Sequence, residues 1–356
     1  MTPTLFSPLT AGSLELRNRI VMAPMTRSRA DDAGHVQPLS ATYYAQRASA
    51  GLIITEGVFP SAIGKGYVRT PGLADAAQAA SWKQVTDAVH AAGGRIVVQL
   101  MHAGRISHPT LLPAGATPVA PSAIQPKGAV YTDGGMLPHP VPRALALDEI
   151  ASTIAEYGAA AKRAIDAGFD GVELHSASGY LPMQFLSSGS NTRTDGYGGS
   201  VGNRVRFVIE ALQSIVDAIG AERTGIKISP ENPFNDITDA NPKETYTTLV
   251  EAIRPLGLAY LHSAPAANAE MYHVELKKRF GGVYLAGVGF DRAHALDIVA
   301  RGGADAVVFG TMFVSNPDLP ARLEVDAPLT PADPATFYTP GEKGYTDYPT
   351  LETSTA

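Results

Sequence analysis

The sequence predicts a (β/α)8 barrel, the TIM-barrel fold of the α/β class, formed by a single domain. Eight short apolar segments recur along the 356 residues, and most stretches between them have the spacing of amphipathic helices. The composition agrees, because 45% of the residues are hydrophobic and 35 glycines and 27 prolines supply turns for many short elements. Eight strands that alternate with helices indicate a parallel sheet, and eight is also the count that closes a barrel.

The eight predicted strands are too short for helices, rich in valine and isoleucine, and bounded by glycine. In chain order they are Arg19–Ala23, Leu52–Thr55, Arg95–Leu100, Gly171–Leu174, Gly225–Ser229, Ala259–His262, Val283–Ala286 and Asp305–Phe309. A doubly wound open sheet is the alternative architecture. It is disfavoured because no glycine-rich G-x-G-x-x-G turn follows the first strand.

The clearest predicted helix starts at Asp148 as its N-cap and stops at Gly168. A second one extends from Asn203 to Gly220, and two more begin at Asn241 and Asp291.

The remaining segments complete the single domain of residues 1–356. A short N-terminal hairpin is expected to close the bottom of a barrel that spans about residues 19–325. Residues 101–147 form a long loop after the third strand, and a loop of that length usually covers a site. The tail, about residues 326–356, is expected to wrap back onto the barrel through its aromatic residues, Phe337, Tyr338, Tyr345 and Tyr348.

Charge and composition exclude several classes of function. The formal net charge is −6 and there is no long basic run, which argues against nucleic-acid partners and anionic membrane surfaces. The absence of cysteine excludes disulfides, thiolate nucleophiles and iron–sulfur clusters. No signal pattern or membrane-spanning apolar segment is present. We therefore expect a cytoplasmic enzyme, a monomer or homodimer, that acts on small molecules.

In a barrel of this kind, function collects at the carboxyl ends of the strands. Two late strands end in glycine-containing turns, whose backbone N–H groups suit a phosphate. Earlier strand ends offer a hydroxyl, an amide and a cation, at Thr26, Gln99 and Lys227. These donors suit the carbonyl edge of a planar heterocycle. A phosphate joined to such a ring describes flavin mononucleotide (FMN).

One long segment carries a family resemblance. GVELHSASGYLPMQFLSSGSNTRTDGYGGSVGNR, which begins at Gly171, resembles the signature of the Old Yellow Enzyme family of FMN-dependent ene-reductases. Similar stretches follow in family order from about residue 5 to residue 349: RIVMAPMTRSRA, GLIITEG, GKGYVRTPGL, IVVQLMHAGRISH, ISPENPFND, AVVFGTMFVSNPDLPARL and GYTDYP. The resemblance implies non-covalent FMN, hydride from NADPH or NADH, and α,β-unsaturated substrates such as enals, enones, maleimides and nitroalkenes.

The resemblance also implies which residues bind FMN. Matching positions for the flavin ring are Pro24, Met25, Thr26, Gly57 and Gln99, and those for the phosphate are Val288, Gly289, Gly310 and Thr311. In the family, the threonine hydroxyl reaches flavin O4 and the glutamine amide reaches the pyrimidine edge. Lys227 matches the position next to flavin N1, where the family usually has arginine. Thr311 likewise stands where arginine is common.

For the substrate, the resemblance implies that His175 and Ser178 bind the carbonyl oxygen and that Tyr180 donates the proton. Two donors on a carbonyl withdraw electrons from the alkene, and a phenol with a pKa near ~10 is still protonated at neutral pH. Lining residues of the cleft would be Tyr67, Met101 and Tyr345. The chain departs from the family at Ser178, usually asparagine or histidine, and at Met101, often tryptophan.

Three alternatives stay open at this stage. A divalent metal in a barrel hydrolase or aldolase has candidate ligands in Glu56, His102, Glu173, His175 and His262. None of these has a ligand spacing such as H-x-H or H-E-x-x-H, so we predict no metal site. A lysine at a strand end is also suited to a Schiff base. The third alternative is a binding or structural role without catalysis.

Overall fold

The structure is a computed structural model that describes residues 2–267 and 269–351. In chain order the strands are β1 (Leu9–Ala11), β2 (Leu14–Leu16), β3 (Ile20–Met22), β4 (Leu52–Val58), β5 (Ile96–Leu100), β6 (Val119–Ala120), β7 (Ala129–Thr132), β8 (Gly135–Pro138), β9 (Arg143–Ala144), β10 (Gly171–Ser176), β11 (Thr224–Ile228), β12 (Tyr260–Ser263), β13 (Tyr284–Gly287) and β14 (Ala306–Phe309). The helices are α1 (Pro38–Ala45), α2 (Ala76–Ala91), α3 (Leu147–Asp166), α4 (Leu181–Leu186), α5 (Val201–Ile219), α6 (Pro242–Ile253), α7 (Ala269–Phe280), α8 (Arg292–Ala300), α9 (Thr311–Ser315) and α10 (Leu319–Glu324).

Eight parallel strands in the described part of the chain form a closed barrel, in the order β3, β4, β5, β10, β11, β12, β13 and β14. Each of the eight predicted segments corresponds to one of these strands. The last strand pairs with the first, with Phe309 opposite Met22. This pairing closes the sheet, so the predicted barrel is confirmed and the open-sheet alternative is wrong.

The N-terminal hairpin of β1 and β2 covers the bottom of the barrel. The Ser13 backbone N–H donates to the carbonyl oxygen of Glu222 at 2.9 Å. A Cβ on Gly12, whose φ is +60°, would lie 2.2 Å from that same oxygen, so only glycine fits this approach. Leu14 and Leu16 are buried in one cluster with apolar side chains of the barrel strands. Apolar packing therefore fills the bottom of the barrel.

Two of the four predicted helix starts have the predicted capping residue, whereas the helix predicted to extend from Asn203 begins at Val201, after the N-cap Ser200. Asn241 and Asp291 accept hydrogen bonds from N–H groups in the first turns of α6 and α8, as N-caps do. The predicted N-cap of α3 is wrong, because this helix begins at Leu147 and Asp148 lies inside its first turn. Glu149 accepts the Ala146 N–H at 2.8 Å, the N3-to-N-cap bond of a capping box, so the N-cap residue is Ala146, two residues before the predicted one.

The long loop after β5 extends to α3 and contains the antiparallel hairpin of β7 and β8. It also contains β6 and β9, which pair in parallel. On another side of the barrel mouth, the tail after α10 contacts the loop that follows β3, since both Arg27 and Arg29 donate to the carbonyl oxygen of Phe337. Among the helices of the described residues, none combines the length and the apolar character that crossing a membrane requires.

Candidate active site

A cavity of about 840 Å³ opens at the carboxyl ends of the strands. Its walls come from the loop after β3, the loop after β4, the hairpin of β7 and β8, the loop after β11 and the C-terminal tail. The residues that line it include Pro24, Met25, Thr26, Tyr67, Arg69, Tyr131, Met136, Tyr180, Phe234, Thr311 and Tyr338. The size is that of an ordinary ligand site, about 300–1,000 Å³.

The residues predicted to hold the flavin ring lie on adjacent strands. Pro24, Met25 and Thr26 lie in the loop after β3 and line the cavity. Gly57 and Gln99 are opposite each other in the pairing of β4 with β5. A Cβ on Gly57 would lie 2.6 Å from the Met101 sulfur, so a larger residue there would require the Met101 side chain to move.

Lys227 brings a cation to the same end of the barrel. On β11 it lies opposite His175 of β10 and His262 of β12. Its side chain is partly buried, and desolvation lowers the pKa of the ammonium group, whereas the charge of Glu173 acts in the opposite direction.

The two predicted phosphate turns are neighbours, because Gly287 of β13 lies opposite Val308 of β14. Val288 and Gly289 follow β13 with φ values of +73° and +81°. A positive φ is strained in a β-branched residue, and such strain is common where a turn serves a ligand. A Cβ on Gly289 would have no heavy atom within 4 Å, so this backbone is open to a ligand. Gly310 precedes the short helix α9 in the neighbouring turn.

The predicted substrate end contains a chain of contacting aromatic side chains. The rings of His175 and Tyr180 meet edge to face with centroids 4.9 Å apart. The Tyr180 and Tyr67 hydroxyl oxygens are 2.9 Å apart, a hydrogen bond in which either group can donate. Burial raises the pKa of Tyr180 well above its ordinary value, so this phenol keeps its proton at neutral pH.

His175 has free hydrogen-bonding capacity. Burial, followed by the charge of Lys227, holds the pKa of His175 well below its ordinary value, so the imidazole is neutral. Its Nδ1 atom is buried and has no partner among the described residues. Buried polar atoms are seldom left unpaired, and those that are often lie at functional sites.

Ser178 is held by its backbone. Its φ of +54° is in the left-handed region, its N–H donates to the Ser229 hydroxyl at 2.8 Å, and its carbonyl oxygen accepts from the Asn235 amide at 2.8 Å. The serine therefore lies in a fixed turn between His175 and Tyr180.

Comparison with known proteins is consistent with this geometry. Residues 4–330 match the NADH:flavin oxidoreductase / NADH oxidase family. The chain belongs to this family. It is therefore an FMN-dependent oxidoreductase, and the resemblance to the Old Yellow Enzymes is confirmed.

Three relatives illustrate the match. The chain is 44% identical over 359 residues to a probable flavin mononucleotide-dependent alkene reductase of Leishmania infantum, with 97% of each chain covered. It superposes on morphinone reductase in complex with tetrahydroNAD with a TM-score of 0.95, 45% identity and 99% of each chain covered. The old yellow enzyme homologue from Zymomonas mobilis gives a TM-score of 0.95 and 39% identity, covering 98% of this chain and 100% of that one.

Two residues that were predicted to line the cleft of this flavin oxidoreductase do not line the cavity. Met101 is buried in a cluster behind Tyr67 and Tyr180. Tyr345 is fully buried in the tail, stacked on Tyr43 with ring centroids 4.0 Å apart, and its hydroxyl donates to Ser40. It is not among the residues that line the cavity.

Three aromatic or amide residues near the cavity were not predicted as site residues from the sequence. Tyr338 and Phe234 line it, and Asn235 holds Ser178. The sequence did contain a signal for Tyr338, because it was among the aromatic residues expected to bring the tail back.

The residues considered as metal ligands do not assemble. Within residues 2–267 and 269–351, no group of three or more histidine, aspartate or glutamate side chains is placed to hold a metal ion. Glu56 instead accepts the Arg27 backbone N–H at 3.1 Å.

Proposed function

We propose that this flavin oxidoreductase is an ene-reductase that transfers hydride from NADPH or NADH to activated alkenes such as enals, enones, maleimides and nitroalkenes. The observation that carries the proposal is the contact of a neutral, buried histidine, His175, with a protonated phenol, Tyr180, which lines the cavity. One group can polarise a carbonyl and the other can supply a proton.

The cofactor is held by this chain's own donors. Thr26, Gln99 and Lys227 would bind the ring, and the turns at Val288–Gly289 and Gly310–Thr311 would bind the phosphate. When bound, FMN supplies the hydride that it has taken from the nicotinamide. Lys227 provides a fixed positive charge for the pyrimidine end of the ring, although without the planar fork of the arginine usual in the family.

The substrate is activated by His175. A neutral imidazole donates one N–H, and donation to the substrate carbonyl withdraws electron density from the β-carbon. Ser178, which lies three residues later, is the second residue proposed at this oxygen. The unpaired Nδ1 atom of His175 supports the proposal that this ring has a ligand partner.

Tyr180 completes the addition by giving its proton to the α-carbon. The hydrogen bond to Tyr67 orients the phenol and stabilises the phenolate that the transfer leaves behind. Tyr338 and Phe234 supply apolar walls for an enone or a maleimide.

The experiment separates the two half-reactions by anaerobic stopped-flow measurement of the flavin spectrum. Tyr180→Phe should leave reduction by NAD(P)H nearly unchanged and slow reoxidation by 2-cyclohexenone by about 10²–10⁴-fold, because only the second step needs an acid. Tyr197→Phe is the matched control, since the Tyr197 hydroxyl donates to Glu210 and the residue does not line the cavity. Equal slowing of both half-reactions in Tyr180→Phe would refute the assignment.

A further inference from the structure

A glutamate is buried inside the barrel, and the proposed reaction does not use it. Glu173 is fully buried on β10. It lies two residues before His175, so both side chains point to the same face of the strand. An ionised carboxylate in this position is costly unless hydrogen bonds and a countercharge surround it.

Glu173 has hydrogen-bond partners on two other strands of the barrel, β5 on one side and β12 on the other. Its Oε1 atom accepts from Gln99 Nε2 at 2.7 Å, and its Oε2 atom is 3.1 Å from His262 Nδ1. The pairing of β5 with β10 sets Gln99 directly opposite Glu173. Burial lowers the pKa of His262, so this ring is neutral and its Nδ1–H donates to the carboxylate.

These contacts determine which way the Gln99 amide faces. A carboxylate accepts hydrogen bonds only, so it requires the NH₂ end of the amide. The two ends of a glutamine amide have nearly the same shape, and the surrounding hydrogen bonds select between them. Gln99 is buried, and with its NH₂ group held by Glu173 its carbonyl oxygen is left for another partner.

We propose that Glu173 is a positioning residue of the flavin site, which holds the Gln99 amide so that its carbonyl oxygen accepts the imide N–H of the flavin pyrimidine ring. This inference rests on the proposed function, since it uses the placement of that ring against Gln99. The same carboxylate is the countercharge of Lys227, which faces the ring from β11.

A double-mutant cycle read by FMN titration of the apoprotein tests the proposal. Glu173→Gln keeps the shape but removes the requirement for the NH₂ end, so the Gln99 amide is free to turn over. The FMN Kd should rise about 10-fold, equivalent to about 1.4 kcal/mol. In a Gln99→Met background the same substitution should change the Kd less than about 2-fold, because no amide remains to be positioned.

A matched control uses another buried glutamate. Glu56→Gln removes a carboxylate from the end of β4 that contacts the Arg27 backbone rather than Gln99. Its effect on the FMN Kd should be the same with and without Gln99→Met. An equal effect of Glu173→Gln in both backgrounds, or none in either, would overturn the proposal.

A second variant separates charge from position. Glu173→Asp keeps the charge, but its side chain is shorter by one methylene group and does not reach the Gln99 amide. This variant should therefore bind FMN more weakly, while its flavin reduction potential stays near that of the wild type. Glu173→Gln should raise the potential, because Lys227 loses its countercharge. Identical potentials in the two variants would contradict this division of roles.

Separate control experiments test folding and the proposed function. Thermal unfolding of each apoprotein checks that the barrel persists, and the Glu173→Asp cycle replaces the first if the Gln variant fails to fold. FMN titration needs no turnover. A wild-type protein that binds FMN but reduces no alkene would therefore refute the proposed function and leave the Glu173 test intact.

Discussion

At the residue scale, Ser178 is the most informative departure from the family pattern. The backbone there suits asparagine, one of the residues that the family usually has at this position. A φ of +54° is in the left-handed region, which asparagine adopts more readily than most residues. The Ser229 hydroxyl and the Asn235 amide fix the turn through backbone atoms, so the side chain can be changed without loss of either bond.

Ser178→Asn should therefore fold normally and bind phenolic inhibitors up to about 10-fold more tightly, equivalent to about 1.4 kcal/mol. The reason is reach, since an amide extends further toward an oxygen held by His175 than a single hydroxyl does. A phenol titration of the flavin spectrum measures the change. Ser178→Ala is the comparison that removes the hydroxyl without adding reach. Equal or weaker phenol binding by the Asn variant would show that residue 178 does not contact the substrate oxygen.

Tyr345 and Tyr338 show what the sequence could not determine at this scale. Both are tail tyrosines, and the GYTDYP motif drew attention to Tyr345. In the structure Tyr345 is the buried one, packed below the Arg29 guanidinium with the charge 4.3 Å from the ring centroid, while Tyr338 is 59% exposed and lines the cavity. Spacing along an irregular tail does not reveal which side chain turns inward, because the deciding contacts come from distant arginines.

At the scale of elements, those arginines attach the tail to the loop after β3. Arg29 donates to the carbonyl oxygens of Thr336, Phe337, Gly341 and Lys343 at 3.0–3.1 Å. Arg27 adds the carbonyl oxygens of Phe337 and Gly344. The tail segment that carries Tyr338 is thus fixed to the loop that also carries Thr26.

Arg29→Lys should release the tail, because a lysine has one donor group in place of a planar fork. We expect the free energy of unfolding to fall by about 1.5–3 kcal/mol, the range for hydrogen bonds to a charged group. Urea denaturation measures that change, and limited proteolysis followed by mass spectrometry should show faster cleavage within the tail. Arg223→Lys, at an exposed position in the described chain, is the control. A tail as resistant as in the wild type would mean that these bonds do not hold it.

At the scale of the whole molecule, the barrel was predictable because each strand carries its own signal. Each short Val- and Ile-rich run between glycines indicates a strand by itself, and a count of eight strands predicts that the sheet closes into a barrel. The start of α3 was misplaced by a cap that uses a side chain inside the helix, Glu149, rather than one before it. The contact between Glu173 and Gln99 could not be predicted from the sequence for a related reason. The two residues are 74 positions apart in the chain, and only the strand register brings them together.

The closed barrel, the hairpin beneath it and the attached tail together predict how the molecule responds to its cofactor. We expect one cooperative thermal transition, because the hairpin and the tail each pack against the barrel. FMN binds only the folded form, so at about 100 times its Kd it should add about 2.7 kcal/mol of stability. For a chain of this size that corresponds to a rise of roughly 4 °C in Tm.

Riboflavin provides the internal comparison, since it has the same ring without the phosphate. If the adjacent turns at Gly289 and Gly310 hold the phosphate, riboflavin should bind at least about 10-fold more weakly than FMN. At equal concentration its stabilisation should then be smaller by about 1.4 kcal/mol. Differential scanning calorimetry over a series of ligand concentrations measures both shifts. Equal shifts for the two ligands would show that the turns after β13 and β14 leave the phosphate unbound. Two separate transitions would contradict the cooperative unfolding, because the tail or the hairpin would then unfold independently of the barrel.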